Sequence, residues 1–123
     1  MGELDRTGSV AVLGEQDPVA AGLDAVTPTA EVVVVHDAAR PFCTTGLIAR
    51  TIDAAVESGA AIAALSARDT VKEGTTSGAV TIVSATLPRG QIFLAQTPQA
   101  FRVDVLRDAI ALGHTADDQA ETV

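Results

Sequence analysis

The segment at residues 31–36, Glu-Val-Val-Val-Val-His, constrains the fold more than any other part of this chain. Four consecutive β-branched residues favour an extended strand, and a strand that is apolar on both faces must be covered on both sides. Strands buried in this way belong to sheets that carry helices on their faces. The segment therefore predicts an α/β fold with a mostly parallel sheet flanked by helices.

Shorter patterns along the chain support an alternation of strands and helices. A polar, glycine-containing turn at residues 73–78, between extended stretches at 69–72 and 79–83, predicts a hairpin or projecting arm. Helical spacing of apolar residues predicts a helix that Thr44 or Thr45 caps and Gly59 ends. The remaining expected elements are strands at residues 9–13, 60–65 and 91–96, a helix from Pro18 to about Val26, a helix after Pro98, and a last helix capped by Thr115.

Composition and charge restrict the classes of partner. A chain of 123 residues with 47% hydrophobic residues suits one globular domain. Its net charge of −8 and its 2% aromatic residues argue against a nucleic-acid partner and against binding to anionic membranes. The chain has no apolar run of about 20 residues, so no membrane span is expected. Its single cysteine, Cys43, fits a reducing compartment, which predicts a cytoplasmic protein.

The loop at residues 36–41, His-Asp-Ala-Ala-Arg-Pro, directly follows the apolar strand and is the first candidate site. Ligands of open α/β sheets bind beyond the carboxyl ends of strands. Asp37 is suited to Mg²⁺ and Arg40 to a phosphate, while Ala38 is small enough for a ligand to approach the backbone. The structural alternative is that Asp37 caps a turn and pairs locally with Arg40.

Two further segments carry polar groups that suit an anionic ligand. Residues 68–72, Arg-Asp-Thr-Val-Lys, contain the chain's one lysine at the start of the arm, where the alternative is a solvated hairpin edge. Arg89 lies in a Pro-Arg-Gly turn, and Thr97 follows the strand expected at residues 91–96. The alternative for Thr97 is that it or Gln99 caps the next helix while Phe101 fills the core.

Three motifs, taken in order, resemble one family. Residues 35–41 (V-H-D-A-A-R-P), 69–72 (D-T-V-K) and 95–102 (A-Q-T-P-Q-A-F-R) resemble 2-C-methyl-D-erythritol 4-phosphate cytidylyltransferase, the IspD family of the non-mevalonate isoprenoid pathway. The resemblance extends over about residues 8–123. Ribitol-5-phosphate cytidylyltransferases share much of the first motif, but the forms of the first and third motifs are more similar to the erythritol enzyme.

The resemblance implies a Rossmann-like nucleotidyltransferase fold and transfer of CMP from CTP to methylerythritol 4-phosphate, with release of pyrophosphate and Mg²⁺ as cofactor. It implies that Asp37 lies at the metal and the nucleotide, beside the backbone of Ala38. Arg89 would be the catalytic residue that orients the attacking phosphate. The other implied substrate-binding residues are Arg40, Thr70, Thr97 and Asp117. The segment at about residues 69–89 resembles the family's dimerisation arm, which implies a homodimer.

Departures from the family pattern predict an incomplete cytidylyltransferase domain over residues 1–123. Nothing before Ser9 resembles the family's glycine-rich loop that grips the CTP triphosphate, and its closing lysine-containing segment is not reached before Val123. Glu15 and Pro18 replace a usual Arg and Ser, and Ala116 replaces a usual Thr. The remaining alternatives are a ribitol-5-phosphate-type enzyme and a catalytically incompetent scaffold or fragment of the family.

Overall fold

Helices and strands alternate along residues 18–112, which are the part of the chain described by this computed structural model. In chain order the elements are α1 (Pro18–Asp24), β1 (Val32–Val35), α2 (Thr45–Ser58), β2 (Ala60–Ser66), β3 (Lys72–Ser77), β4 (Val80–Thr86), a 3₁₀ turn (Arg89–Gln91), β5 (Phe93–Arg102) and α3 (Val103–Ala111). The predicted α/β class is confirmed. The strand expected at residues 9–13 and the helix expected from Thr115 lie outside the described residues, as do Glu15, Ala116 and Asp117.

The main sheet of the described residues has the strand order β1-β5-β2, and its pairing corrects one expectation. β1 and β2 run in the same direction, but each pairs with the antiparallel β5 that lies between them. The prediction of mostly parallel pairing is therefore wrong within residues 18–112. The reason is the connection: a parallel return needs a crossover, usually a helix, whereas the arm leaves β2 and re-enters β5 at the same end, where Ser66 pairs with Phe93.

β5 continues past the point at which the sequence pattern predicted a break. Its residues 93–95 pair with β2, residues 96–98 face an irregularity in the register, and pairing resumes at Gln99 opposite Ile62. A proline has no N–H for a ladder, and such residues are tolerated in sheets at bulges. Pro98 occupies this bulge, is fully buried and follows a cis Thr97–Pro98 bond. The strand therefore carries the third sequence motif through the middle of the sheet.

The arm at residues 69–89 contains a two-stranded sheet, which consists of β3 and β4. The turn predicted at residues 73–78 is wrong in extent, because β3 includes Glu73 to Ser77 and the chain reverses only at Gly78, whose φ is +61°. All residues of both strands are exposed, so polar β-branched threonines are as suitable there as apolar residues. The predicted projecting hairpin is confirmed.

Helices α1 and α3 cover one part of the sheet around a small apolar core. Leu23, Phe101 and Leu106 form the buried cluster, and the expectation that Phe101 fills the core is confirmed. α2 begins as predicted, since the Thr44 side chain accepts a hydrogen bond from the Leu47 N–H at 3.2 Å. Between residues 18 and 112, the structure contains no helix with the length and apolar character of a membrane span.

Candidate functional site

The carboxyl ends of β1 and β2 lie at one edge of the sheet, because both strands run antiparallel to β5. The loop at residues 36–41 leaves β1 at this edge, and the start of the arm leaves β2 there. The 3₁₀ turn that contains Arg89 returns the chain to the same edge. The topology therefore gathers the three candidate segments on the side of the sheet where ligands of α/β folds bind.

A local turn organises the loop around Asp37. The carboxylate oxygen Oδ1 of Asp37 accepts a hydrogen bond from the Ala39 N–H at 2.9 Å, and the Arg40 N–H donates to the Asp37 carbonyl at 2.9 Å. His36 Nε2 donates to the carbonyl oxygen of Arg40 at 2.9 Å. Asp37 Oδ2 lies 3.5 Å from Arg40 Nε. The turn and the local ion pair of the structural alternative are thus present, and they also hold Asp37 and Arg40 side by side.

The loop is attached to β5 at the bulge. Thr97 Oγ1 accepts a hydrogen bond from the Asp37 N–H at 3.1 Å, and Arg40 Nη1 donates to Gln96 Oε1. These two contacts join residues that are 60 and 56 positions apart in the chain, so Asp37, Arg40 and Thr97 form one cluster. Ala38 is exposed in the turn between them. Side chains of Asp37 and Arg40 keep 49% and 46% exposure, which leaves both accessible to a ligand.

Gln96 is a member of this cluster that the sequence reasoning missed. It lies within the third motif, and the sequence predicts no role for it. The signal that could have found it is a pair of polar side chains, Gln96 and Thr97, at a bulge beside the end of β1. A bulge re-aims side chains, but its position depends on strand register and could not be derived from this sequence alone.

A pocket of about 460 Å³ adjoins the cluster. Arg40 and Thr97 line one part of it, and Pro41, Phe42 and Leu47 supply apolar surface. Phe42 is 95% exposed, so its ring forms an open wall instead of filling the core. A cationic group beside an apolar concave surface suits a ligand that carries both a phosphate and a carbon skeleton.

Arg89 and Thr70 lie at the base of the arm, apart from the Asp37 cluster. Arg89 Nη1 donates to the Arg68 carbonyl at 2.8 Å, and no hydrogen bond within residues 18–112 joins Arg89 or Thr70 to residues 36–41. The end of β1 is level with Ile62 of β2, because Val35 and Ile62 both pair with Gln99. The arm leaves β2 after Ser66, which is about 13 Å farther along the strand at ~3.3 Å per residue. The structure thus places both residues at the expected edge of the sheet but not in the same cluster.

The structural alternative for Thr97 and Gln99 is wrong. Both lie within β5, and α3 begins five residues after Pro98, with no side-chain hydrogen bond from its N-cap residue Arg102. Arg102 instead pairs with Asp104, whose pKa it lowers by hydrogen bonding and charge attraction. This pair borders a second cavity of about 820 Å³ near the amino end of β1, at the opposite edge of the sheet.

The Asp37 carboxylate is suited to Mg²⁺ that is bound together with a substrate. Within the described part of the chain, no three His, Cys, Asp or Glu side chains are grouped as a metal cage. Mg²⁺ bound to nucleotides commonly uses one or two carboxylates together with substrate phosphates and water. Asp37 offers one half-exposed carboxylate whose Oδ2 is not hydrogen-bonded to the backbone. It therefore suits Mg²⁺ that is shared with substrate phosphates, and not a metal ion whose ligands all come from the protein.

Comparison with known proteins gives a consistent result. The family model for 2-C-methyl-D-erythritol 4-phosphate cytidylyltransferase (IspD) matches residues 11–123. The enzyme of that name from Syntrophus aciditrophicus is 51% identical over 94 residues, which are 76% of this chain and 39% of that protein. A bifunctional IspD/IspF enzyme from Nitrobacter winogradskyi is 50% identical over 95 residues, 76% of this chain and 23% of that protein.

Solved structures agree with the sequence matches. The 2-C-methyl-D-erythritol 4-phosphate cytidylyltransferase of Thermus thermophilus superposes with a TM-score of 0.66 at 38% identity, over 85% of this chain and 51% of that one. The 4-diphosphocytidyl-2C-methyl-D-erythritol synthase of Anaerococcus prevotii gives 0.70 at 29% identity, over 89% and 49%. The chain thus spans about half or less of the length of these relatives.

Proposed function

The chain belongs to the 2-C-methyl-D-erythritol 4-phosphate cytidylyltransferase (IspD) family, and we propose from this that it acts in the transfer of CMP from CTP to 2-C-methyl-D-erythritol 4-phosphate. The observation that carries the proposal is the cluster of Asp37, Arg40 and Thr97 at the carboxyl end of β1, within the region matched by the family model. Nucleotidyl transfer depends mainly on positioning and on neutralising charge, and this cluster has groups for both.

The proposed reaction is an in-line displacement at phosphorus. An oxygen of the methylerythritol phosphate attacks the α-phosphorus of CTP, a new P–O bond forms, and the bond to the bridging oxygen breaks. Pyrophosphate leaves with that electron pair. The half-exposed Arg40 guanidinium is suited to bind one of the anionic groups, because it presents a planar set of N–H donors to phosphate oxygens.

Mg²⁺ is the proposed cofactor, and Asp37 is the residue that would hold it. When bound, the cation would neutralise charge on the phosphates during transfer. The Thr97 hydroxyl, which accepts the Asp37 N–H, fixes the backbone that carries this carboxylate. Ala38 supports close approach of the nucleotide, because its side chain is a single methyl group. Cys43 is a free cysteine, which together with phosphorylated substrates supports a cytoplasmic setting.

Arg89 is the proposed catalytic residue, and Thr70, which also lies at the base of the arm, is a further proposed residue of the polyol phosphate site. Its hydrogen bond to the Arg68 carbonyl uses one N–H group and holds the guanidinium at the base of the arm. The other N–H groups have no hydrogen-bonding partner within residues 18–112. Arg89 therefore retains donors and charge for a phosphate oxygen.

A homodimer through the arm, defined as residues 69–89, is the proposed assembly. Val80, Ile82 and Val83 are 57–66% exposed on a two-stranded hairpin, and an isolated hairpin of that kind is marginal in water. A second copy covering these side chains would remove apolar surface from water. Light scattering tests this: Ile82→Lys should shift a dimer to monomer, whereas Ala54→Lys on exposed α2 surface should not. A wild-type chain that is monomeric at all concentrations would contradict the proposal.

The activity is tested by measuring pyrophosphate release by the 123-residue chain from CTP, Mg²⁺ and methylerythritol 4-phosphate. We expect Asp37→Asn and Arg89→Ala each to lower kcat/KM by about 100-fold, because the first removes the carboxylate proposed to hold Mg²⁺ and the second removes the positive charge proposed to face a phosphate oxygen. Matched controls are Asp53→Asn and Arg50→Ala on the exposed face of α2, which should remain within about twofold of wild type.

Ribitol 5-phosphate is the comparison substrate. Faster release with ribitol 5-phosphate than with methylerythritol 4-phosphate would reassign the acceptor. No release from the wild-type chain with either acceptor, together with no heat of CTP binding in calorimetry, would overturn the proposed activity and favour a catalytically incompetent scaffold.

A further inference from the structure

The contact between Arg40 and Gln96 joins the two segments of the candidate site through their side chains. Arg40 Nη1 donates to Gln96 Oε1, whereas Arg40 Nε lies 3.5 Å from Asp37 Oδ2, beyond ordinary hydrogen-bond length. Asp37 Oδ1 is already engaged by the Ala39 N–H. Gln96 thus provides the one side-chain hydrogen bond to the Arg40 guanidinium within residues 18–112.

Gln96 is itself held in place. Its Nε2 donates to the Ala95 carbonyl at 2.9 Å, and its backbone belongs to the β5 bulge. The side chain is half-buried, whereas that of Arg40 is 46% exposed. A side chain on the β5 bulge therefore anchors a longer and more exposed one that projects from a loop.

The chemical nature of the anchor matters because the amide oxygen of glutamine is neutral. A guanidinium carries five N–H donors, of which one bonds to Gln96 and another faces Asp37. The other three have no hydrogen-bonding partner in the described residues. A glutamate at position 96 would hold the guanidinium equally well but would oppose its charge, whereas glutamine orients Arg40 and leaves that charge for an anion.

We propose that Gln96 is a positioning residue that holds the Arg40 guanidinium at the pocket bounded by Pro41, Phe42 and Leu47 for binding the acceptor. The role in substrate binding rests on the proposed function, whereas the positioning contact does not. Gln96 acts through Arg40 and is not assigned a contact with the substrate. The pocket geometry supports this, because Arg40 lines it and Gln96 does not.

Two substitutions separate orientation from charge. Gln96→Leu removes the acceptor at similar volume, and Gln96→Glu keeps the acceptor but adds a negative charge. Ala54→Glu on the exposed face of α2 is the matched control for the added charge. Far-UV circular dichroism and thermal unfolding establish that each variant is folded.

The first readout is ¹⁵N NMR of the arginine guanidinium groups, with the Arg40 signal identified by its loss in Arg40→Lys. Rotation about the Nε–Cζ bond exchanges Nη1 with Nη2, and a hydrogen bond to Nη1 slows this rotation. We therefore expect distinct, slowly exchanging Nη1 and Nη2 signals for Arg40 in the wild type and in Gln96→Glu. These signals should average in Gln96→Leu. Distinct Arg40 signals that persist in Gln96→Leu, or are missing from the wild type, would overturn the positioning contact.

The second readout is the kinetic split between the two substrates. In Gln96→Leu we expect the KM for methylerythritol 4-phosphate to rise about fivefold, the size of one partly exposed charge-assisted hydrogen bond, with kcat and the KM for CTP within about twofold. Gln96→Glu should raise the same KM while retaining the NMR signals, and Ala54→Glu should not. An unchanged KM in Gln96→Leu would overturn the role in substrate binding.

The two proposals fail in different ways. If the wild-type chain shows no turnover but its distinct Arg40 signals average in Gln96→Leu, the proposed activity would be overturned and the positioning contact would be supported. Turnover in the wild type with identical Arg40 signals in Gln96→Leu would support the activity and overturn the role of Gln96.

Discussion

Replacing Thr97 by valine tests how the loop at residues 36–41 is attached to the sheet. The substitution removes the hydroxyl oxygen that accepts the Asp37 N–H at 3.1 Å and keeps the branched shape of the side chain. A net hydrogen bond contributes about 0.5–1.5 kcal/mol, and this one is near solvent, so water replaces part of it. We therefore expect the free energy of unfolding to fall by about 0.5–1 kcal/mol and the Tm to fall by roughly 2–8 °C.

Urea unfolding followed by far-UV circular dichroism measures the change, because the chain has no Trp or Tyr to serve as a fluorescent probe. Amide hydrogen exchange gives the local counterpart: the same energy should make exchange of the Asp37 N–H about two- to fivefold faster. Thr97→Ser retains the hydroxyl and should leave that exchange rate near wild type. An Asp37 exchange rate in Thr97→Val equal to that of the wild type would show that the Thr97 hydroxyl does not hold the Asp37 N–H and is free for a ligand.

Three further substitutions test the helix start, the core and the ion pair. Thr44→Ala should lower the free energy of unfolding by about 1 kcal/mol in urea, because the Leu47 N–H loses its acceptor, and Thr44→Ser should not. Phe101→Ala should cost about 3–5 kcal/mol in the same assay, since this side chain is 1% exposed at the centre of the core. The pKa of Asp104 is lowered by Arg102, so the pair stabilises the fold above the ordinary carboxyl pKa and loses that contribution as the pH falls through the lowered value. Arg102→Met should return the Asp104 pKa toward its ordinary range in an NMR titration, and an unchanged pKa would contradict the pairing.

Local patterns were sufficient for most of the elements. The apolar run at residues 31–36 predicted β1, and the capping threonine together with Gly59 predicted the bounds of α2. These predictions succeeded because they depend on side chains within a few residues of one another. The three motifs also indicated the family, which the comparisons confirm.

Pairing direction and strand length were not available from local patterns. The parallel sheet was expected from the alternation of strands and helices, but the connection from β2 to β5 is a hairpin arm, which returns the chain antiparallel. The break expected at Thr97 is a bulge within β5, because pairing with β1 and β2 outweighs the local preference of a proline.

The α/β class follows from the periodicity of apolar residues along the chain, and the family and the candidate site residues follow from the resemblance of three motifs taken in order. Which of those residues meet depends on the folded chain. Thr97 and Gln96 reach Asp37 and Arg40 across 60 and 56 positions because strand register sets that contact, while Arg89 lies farther along the sheet, at the base of the arm. Register is a property of paired strands, and no single segment of the chain contains it.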